Sequence, residues 1–361
     1  MYVAWRDLRF ASGRFALMGA VVALISLLVG LLSGLTAGLG RQNVSAVTDL
    51  PADRIAFAAP APGQDLSYAD STVTEAQWRR WAQAPGVTRA EPLGIATTRA
   101  AAGDIGLAVT AFGVRAGSPL APAGGRLDDR SAVLSTPAAD DLRVRAGDTV
   151  TLGGRALEVA AVAGDASYSH TPVIWVSLDT WRAVAPDAGA GGATATVIAL
   201  STTSAVDVAA TDAAAGTKTV RTGDSLSAIG SYASENGSLQ LMRGFLFAIA
   251  ALVIGAFFSV WTIQRSGDVA VLKALGASTG NLLRDALGQA AVLLTGGTVL
   301  GAAAAAGVGA LVAGSAVPFR LTPATVLGPA AVIIALGVAG AALSIRRITS
   351  VDPLTALGSA R

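Results

Sequence analysis

One histidine and no cysteine occur in this chain. His170 stands in Tyr168-Ser169-His170-Thr171, and a single imidazole without thiolates cannot complete a conventional zinc site. Its expected place is a surface loop. No G-x-x-x-x-G-K-[ST] segment is present, so this chain does not hold ATP in a phosphate loop. No G-x-S-x-G elbow accompanies its serines, which removes serine hydrolysis of that kind. The residues point to contact chemistry rather than covalent chemistry. The most patterned polar segment runs from Gln264 to Ser278. Within it Val269, Leu272 and Leu275 recur every three residues, a stripe along a short helix. Asp268 at the start and Lys273 near the end suit the helix dipole, and Gly276 is a C-terminal stop. Such a helix either lies on a membrane leaflet or docks on a partner.

The elements that must carry this helix are plain. Four stretches hold no charge: Phe15 to Gly40, Gly244 to Gln264, Ala286 to Phe319 and Leu321 to Ile345. A hydrocarbon core about 30 Å thick needs roughly 20 helical residues, and every stretch reaches that. The third is too long for one span and takes in part of a loop near Pro318. Charged residues make up 14% of the chain, against about 25% in an ordinary soluble domain. The net charge of +2 gives no reason to expect nucleic acid. Only Lys218 and Lys273 stand beside the many arginines, a bias of base composition rather than of function.

Positive residues set the expected orientation. Arg6, Arg9 and Arg14 precede the first span, Arg265, Lys273 and Arg284 lie between the second and third, and Arg346, Arg347 and Arg361 follow the fourth. These segments are read as cytoplasmic, with both termini inside the plasma membrane. The first apolar run is too long for a signal-peptide core and is read as a retained span. The expected layout is 1–14 cytoplasmic, 15–40 first span, 41–235 extracellular domain, 236–263 second span and 264–284 cytoplasmic coupling loop. It continues with 285–313 third span, 314–322 outer loop, 323–345 fourth span and 346–361 cytoplasmic tail. The fold class is an α-helical membrane protein with one plus three transmembrane helices and a large extracellular α+β domain between helices 1 and 2.

The outer block reads as folded. Arg54–Ala58 is a strand. Thr74–Gln83 is a helix capped by Thr74, with Trp78 and Trp81 on one face. Strands are expected at 107–114, 132–135, 148–152, 156–162, 173–177 and 194–200, and a second helix at 205–214. Gly153-Gly154 is a hairpin turn, and Pro186–Gly192 a surface loop.

The segment Asp268 to Ser278 resembles the cytoplasmic loop of MacB/FtsX-type ABC permeases. Ser350 to Leu357, where Pro353 precedes an apolar pair, is similar to that family's ending. The family has four spans, a large outer domain after the first and a coupling helix before the third. Asp268 departs from it, since glutamate is commoner there, but the charge is kept. The resemblance implies a permease subunit without an ATPase site of its own, paired with a separate dimeric cytosolic ABC ATPase that binds ATP and Mg. Asp268, Val269, Leu272, Lys273 and Leu275 would form the coupling helix. A dimeric ATPase implies a permease homodimer. Gly30, Gly34 and Gly38 on the first span, and Gly297, Gly301, Ala305 and Gly309 on the third, are rows that let helices approach closely.

Within the family, Ala4 to Arg9, Gly13 to Phe15 and Leu50 to Asp53 look most like the haem-efflux (HrtB-like) permeases of Gram-positive bacteria. That resemblance implies haem as cargo, taken from the membrane and expelled outward. The candidate site is the outer entrance to the second span. Glu235 and Met242 are seven apart on one helix face, and either supplies an axial iron ligand. Arg243 would pair with a propionate. No other metal and no cofactor of its own is expected. Each residue also has a plain role: an acid near a helix start, a gap-filling methionine, an arginine reaching for headgroups. Two other functions fit the same architecture. One is a mechanotransmitting exporter of peptide, macrolide or lipoprotein. The other is a non-transporting, FtsX-like regulator of cell-wall hydrolysis.

Overall fold

Lipid offers backbone groups no partner, so uncharged runs of this length close into helices. The computed structural model describes residues 12–122, 127–185, 193–264, 267, 271, 275–276, 278–312 and 317–349. Four helices are long and apolar enough to cross a membrane. Helix α1 (Ser12–Thr48) comes first, and α6 (Gly230–Gln264), α7 (Thr279–Val312) and α8 (Pro323–Thr349) follow the intervening domain. All four outrun the uncharged stretches: α1 continues past Gly40 to Thr48, α6 starts at Gly230, α7 starts at Thr279 and α8 runs on to Thr349. The chain divides into two compact units, Met1–Gly38 with Ser238–Arg361, and Leu39–Gly237.

In the first unit the four helices share one core. Met18, Val22 and Val29 of α1 meet Ile254 and Phe258 of α6, Ala290 and Leu294 of α7, and Ile333 and Ala341 of α8. Glycines permit the closest approaches. Gly30 faces Ala305 of α7, where a Cβ would stand 2.9 Å from the Ala305 methyl, and Gly297 and Gly301 face α1 near Val22 and Ser26. Gly34 and Gly38 do something different from helix packing. The Phe319 ring lies on Gly34 and on Gly309, and the Pro318 carbonyl lies against Gly38. The Arg320 N–H donates to the Gly34 carbonyl at 3.0 Å. A Cβ on Gly38 would overlap the Pro318 carbonyl, which is backbone and cannot swing aside. Gly38→Ala is therefore expected to lower stability by about 3 kcal/mol, read as the thermal unfolding midpoint of the purified protein. Gly19→Ala, on the same helix with open space around it, should be neutral or slightly stabilising.

The second unit is α+β. Its strands are β1 (Arg54–Ala58), β2 (Val73–Thr74), β3 (Val87–Ala102), β4 (Ile105–Val114), β5 (Ser131–Leu134), β6 (Thr149–Leu152), β7 (Arg155–Val162), β8 (Ser167–Tyr168), β9 (Thr171–Ser177), β10 (Ala193–Ala195), β11 (Val197–Thr202) and β12 (Thr217–Arg221). Short helices α2 (Glu75–Ala82), α3 (Thr136–Leu142), α4 (Leu178–Val184) and α5 (Val208–Ala215) cover them. Strand β3 belongs to two assemblies. Its first half pairs β11, which leads to β1 and β12, and its second half pairs β4. From β4 the order runs through β9, β5, β7 and β6, and β6 returns to β3 at Ala100↔Leu152, which closes a barrel.

Local signals explain several pieces. Thr74 and Gln77 make a reciprocal capping box at the start of α2. Gly153 and Gly154 both have positive φ and join β6 to β7 in a two-residue turn. Gly94 and Gly113 stand opposite each other on β3 and β4, and their bare backbones form the seat on which the Trp181 indole of α4 lies. Strand β3 and helices α3 and α4 were not anticipated. In β3, Arg89, Glu91, Pro92 and Arg99 obscure the pattern, and both faces meet a core: Ala90 and Ala100 join one, Leu93 and Ile95 the other.

Candidate functional site

The extensions of α1 and α6 exist because they pack on the outer domain. Val44, Ala46 and Val47 of α1 are buried in the same core as Ile55, Phe57, Phe112 and Trp175. Tyr68 and Tyr168 sit in this core edge-on, their ring centroids 6.0 Å apart. Burial pushes both phenols far above the ordinary tyrosine range, so they remain neutral.

Directly after Tyr168, the β8–β9 hairpin turns through Ser169 and His170, at φ 49° and 63°. A two-residue turn of this kind ordinarily uses Asn-Gly, because both central residues need positive φ. Here two residues with side chains are held there, at a cost of about 1–3 kcal/mol each. Their side chains account for it. His170 Nε2 lies 2.9 and 3.0 Å from the two oxygens of Glu235 on α6. Asn43 Nδ2, on α1, lies 3.2 Å from both His170 Nε2 and Glu235 Oε2. An amide nitrogen only donates, so the consistent assignment puts a proton on His170 Nε2 and directs both donors at the carboxylate. Asn43 Oδ1 accepts from the Ser231 hydroxyl at 2.6 Å, and Ser231 Oγ is 2.8 Å from Ser169 Oγ. The backbone N–H groups of Ser169 and His170 donate to the carbonyls of Asn43 and Gln42 at 2.9 and 3.1 Å. A closed polar network thus ties α1, the turn and the head of α6 together, and its members reinforce one another. Arg41 adds an ion pair to Asp165 at 2.7 Å and to Asp49 at 2.9 Å, both exposed and worth little each.

Of the haem-site residues expected from the sequence, Glu235 is this network's acceptor, with its side chain 42% exposed. Met242 is 49% exposed on α6. Arg243 has a buried Nε with no hydrogen-bond partner. All three share one unbroken helix. His170, expected as a plain surface loop, is instead half of the Glu235 pair. Asn43, Ser169 and Ser231 were not anticipated. The single signal for them was a tight turn made from Ser-His where glycine is the easy choice.

The coupling segment is covered only in part. Asp268, Val269, Leu272 and Lys273 lie outside the described residues. The Leu275 N–H donates to the Val271 carbonyl at 3.0 Å, an i to i−4 bond, and Gly276 follows at φ 92°. That is how a helix ends on glycine. Leu275 is exposed.

Along α6, one line of residues faces away from the bundle. Ser238, Met242, Phe245, Ile249, Leu252 and Ala256 are all exposed, and they alternate in steps of four and three, the spacing of a helix-pairing seam. Ala250, Ile254, Phe258 and Thr262 are buried on the opposite side.

Two family models match. The MacB-like periplasmic core domain covers residues 16–218, and the FtsX-like permease C-terminal domain covers 241–353. A putative hemin transport system permease protein HrtB from Staphylococcus haemolyticus is 25% identical over 99% of both chains. One from Staphylococcus epidermidis is 32% identical over 40% of this chain and 41% of its own. The periplasmic region of MacB from Actinobacillus actinomycetemcomitans aligns with 50% of this chain and 94% of its own, at TM-score 0.35 and 11% identity.

Proposed function

Because this chain belongs to the MacB/FtsX-type family of ABC transporter permeases, we propose that it is the membrane subunit of an ATP-driven pump that expels haem. The chain is a multi-pass membrane protein whose large α+β domain lies between its first and second spans. On our reading both termini and the 264–284 loop are cytoplasmic, and the domain faces outward. A separate ABC ATPase dimer binds the coupling helix, which holds Asp268, Val269, Leu272, Lys273 and Leu275. The permease works as a homodimer in the plasma membrane.

The observation that carries the cargo reading is the character of α6. Its free seam begins at Ser238 and Met242, one heptad after Glu235. Two such seams meeting about a two-fold axis would line a flat cargo with thioether and apolar rings. Arg243 Nε is buried without a hydrogen-bond partner, a donor left unused on a charged group near the membrane edge, where such groups invite a functional role. A propionate fits that role by charge-assisted hydrogen bonds. Met242 and Glu235 offer the iron a sulfur and an oxygen. The relatives that carry hemin in their names support the same reading.

The test is the absorption spectrum of the protein purified from haem-fed cells, together with the growth of a deletion strain on haemin. A Soret band and heightened haemin sensitivity are expected. Protein that purifies colourless from a strain indifferent to haemin would overturn the cargo.

A further inference from the structure

Hydroxyls inside membrane helices usually satisfy themselves by bonding back one turn. This chain follows that habit at most places. Ser259 donates to the Gly255 carbonyl, Thr262 to Phe258 and Ser344 to Gly340, while Ser26 donates across to Thr298. Ser33 and Thr36 on α1 do not. Their oxygens are buried and have no hydrogen-bond partner among the described residues, and Ser33 is only 3% exposed. Neither the glycine contacts between the helices nor the Asn43-His170-Glu235 network uses them.

Their depth is informative. Helix α1 runs toward the outer domain and α6 returns from it, so the two are antiparallel. The Phe15 and Trp261 rings meet edge to face at 6.5 Å, which sets the two helices in register at the far end. Ser33 lies 33 − 15 = 18 residues above Phe15, and Arg243 lies 261 − 243 = 18 residues above Trp261. At 1.5 Å per residue both are about 27 Å up, and Thr36 is roughly one turn higher. Met18 and Val22 of α1 share a core with Phe258 and Ile254 of α6 at intermediate heights, as this register requires. Buried polar atoms without partners therefore gather at one level of the bundle: two hydroxyls and a guanidinium nitrogen.

We propose that Ser33, Thr36 and Arg243 form a carboxylate-binding site in the outer part of the helix bundle, where the cation and two hydroxyl donors receive the acid group of a membrane-borne cargo. The three groups supply donors and a positive charge, and none needs to change its protonation state. An acid group satisfies all of them at once. This deepens the haem reading and rests on it only for the identity of the cargo. It adds Ser33 and Thr36, on a different helix from Met242, as the residues that sort carboxylated from uncarboxylated molecules. In the cargo-free chain both hydroxyls are a burden, so their removal should not lower stability.

The test compares haemin with haemin dimethyl ester, which lacks the free acids, on the full-length chain in zwitterionic nanodiscs. Wild type is expected to bind haemin about 10-fold or more tightly than the ester, the scale of a hydrogen bond to a charged group. The Ser33→Ala, Thr36→Val double variant should lose most of that preference, Arg243 alone keeping a remainder, with ester affinity unchanged. Its cargo-free melting temperature should equal or exceed wild type, which separates lost recognition from lost folding. Equal binding of both porphyrins by wild type, or a preference kept in full by the variant, overturns the site and leaves haem as cargo. If neither porphyrin binds, the cargo reading fails, and dodecanoate against dodecanol decides the site by thermal stabilisation. Stabilisation by dodecanoate alone that is lost in the variant keeps it. Stabilisation indifferent to Ser33 and Thr36, or obtained only from an anionic phospholipid, overturns it.

Discussion

Glu235→Gln combined with Met242→Leu is expected to abolish the absorbance change on adding haemin to the purified protein, with affinity falling more than about 100-fold. Groups that merely orient a metal ligand are already worth about 10–100-fold, and here both candidate ligands go. The carboxylate is held by two donors, His170 and Asn43. Its oxygens offer about four lone-pair positions, so one remains for iron without dismantling the network. Glutamine keeps an oxygen to accept from His170 or Asn43, and leucine keeps the bulk of Met242. The fold should therefore survive while both iron donors vanish. Unchanged melting temperature with a lost Soret shift is the expected pair of results. A wild-type titration from the double variant would remove both residues from the site.

The second large effect concerns movement. The chain contains no cysteine, so an introduced pair has no competitors. Ser169 and Ser231 face each other with oxygens 2.8 Å apart, close enough for Ser169→Cys and Ser231→Cys to form a disulfide. If the ATPase stroke reaches the outer domain through α6, the Ser169-His170 turn must part from Ser231 in each cycle. Crosslinking should then reduce ATP-driven export to background, with recovery on adding a reductant, while each single cysteine variant exports normally. Full export by the oxidised protein would mean that this joint stays shut throughout the cycle. Two residues held at positive φ make such a joint plausible in energetic terms. Their strain favours release, and their hydrogen bonds oppose it.

What could be read ahead of the structure divides by range. The spans were legible because hydrocarbon imposes a length and forbids charge, and both conditions act within one segment. Strand β1 was legible at Arg54–Ala58, as were the Thr74 cap and the Gly153-Gly154 turn, because each depends on neighbours in sequence. The helical extensions Arg41–Thr48 and Gly230–Glu235 were not. Their polar composition reads as loop, and it is packing on the domain, of Val44 and Val47 in the first and Tyr232 in the second, that goes with helix there. The polar network was hidden for a similar reason: Asn43, His170 and Glu235 are brought together from three distant parts of the chain. The Gly34 and Gly38 row was legible as a close approach but not by what approaches. A helix and a loop both exploit a missing Cβ, and here Pro318 and Phe319 take the place of a helix.

The position of β1 has a consequence for how the protein is made. This first strand of the outer domain lies between the last two, β11 and β12. Until the ribosome has supplied residues through Thr202, β1 has no neighbour on either side, and its second neighbour is complete only at Arg221. Its early burial is impossible, and the cost of closing so long a loop falls due late. Through most of synthesis, then, the tail of α1 and its strand wait as an unpaired edge beside the membrane. The sheet can therefore be completed only once β12 has been made, just before the chain reaches α6 at Gly230.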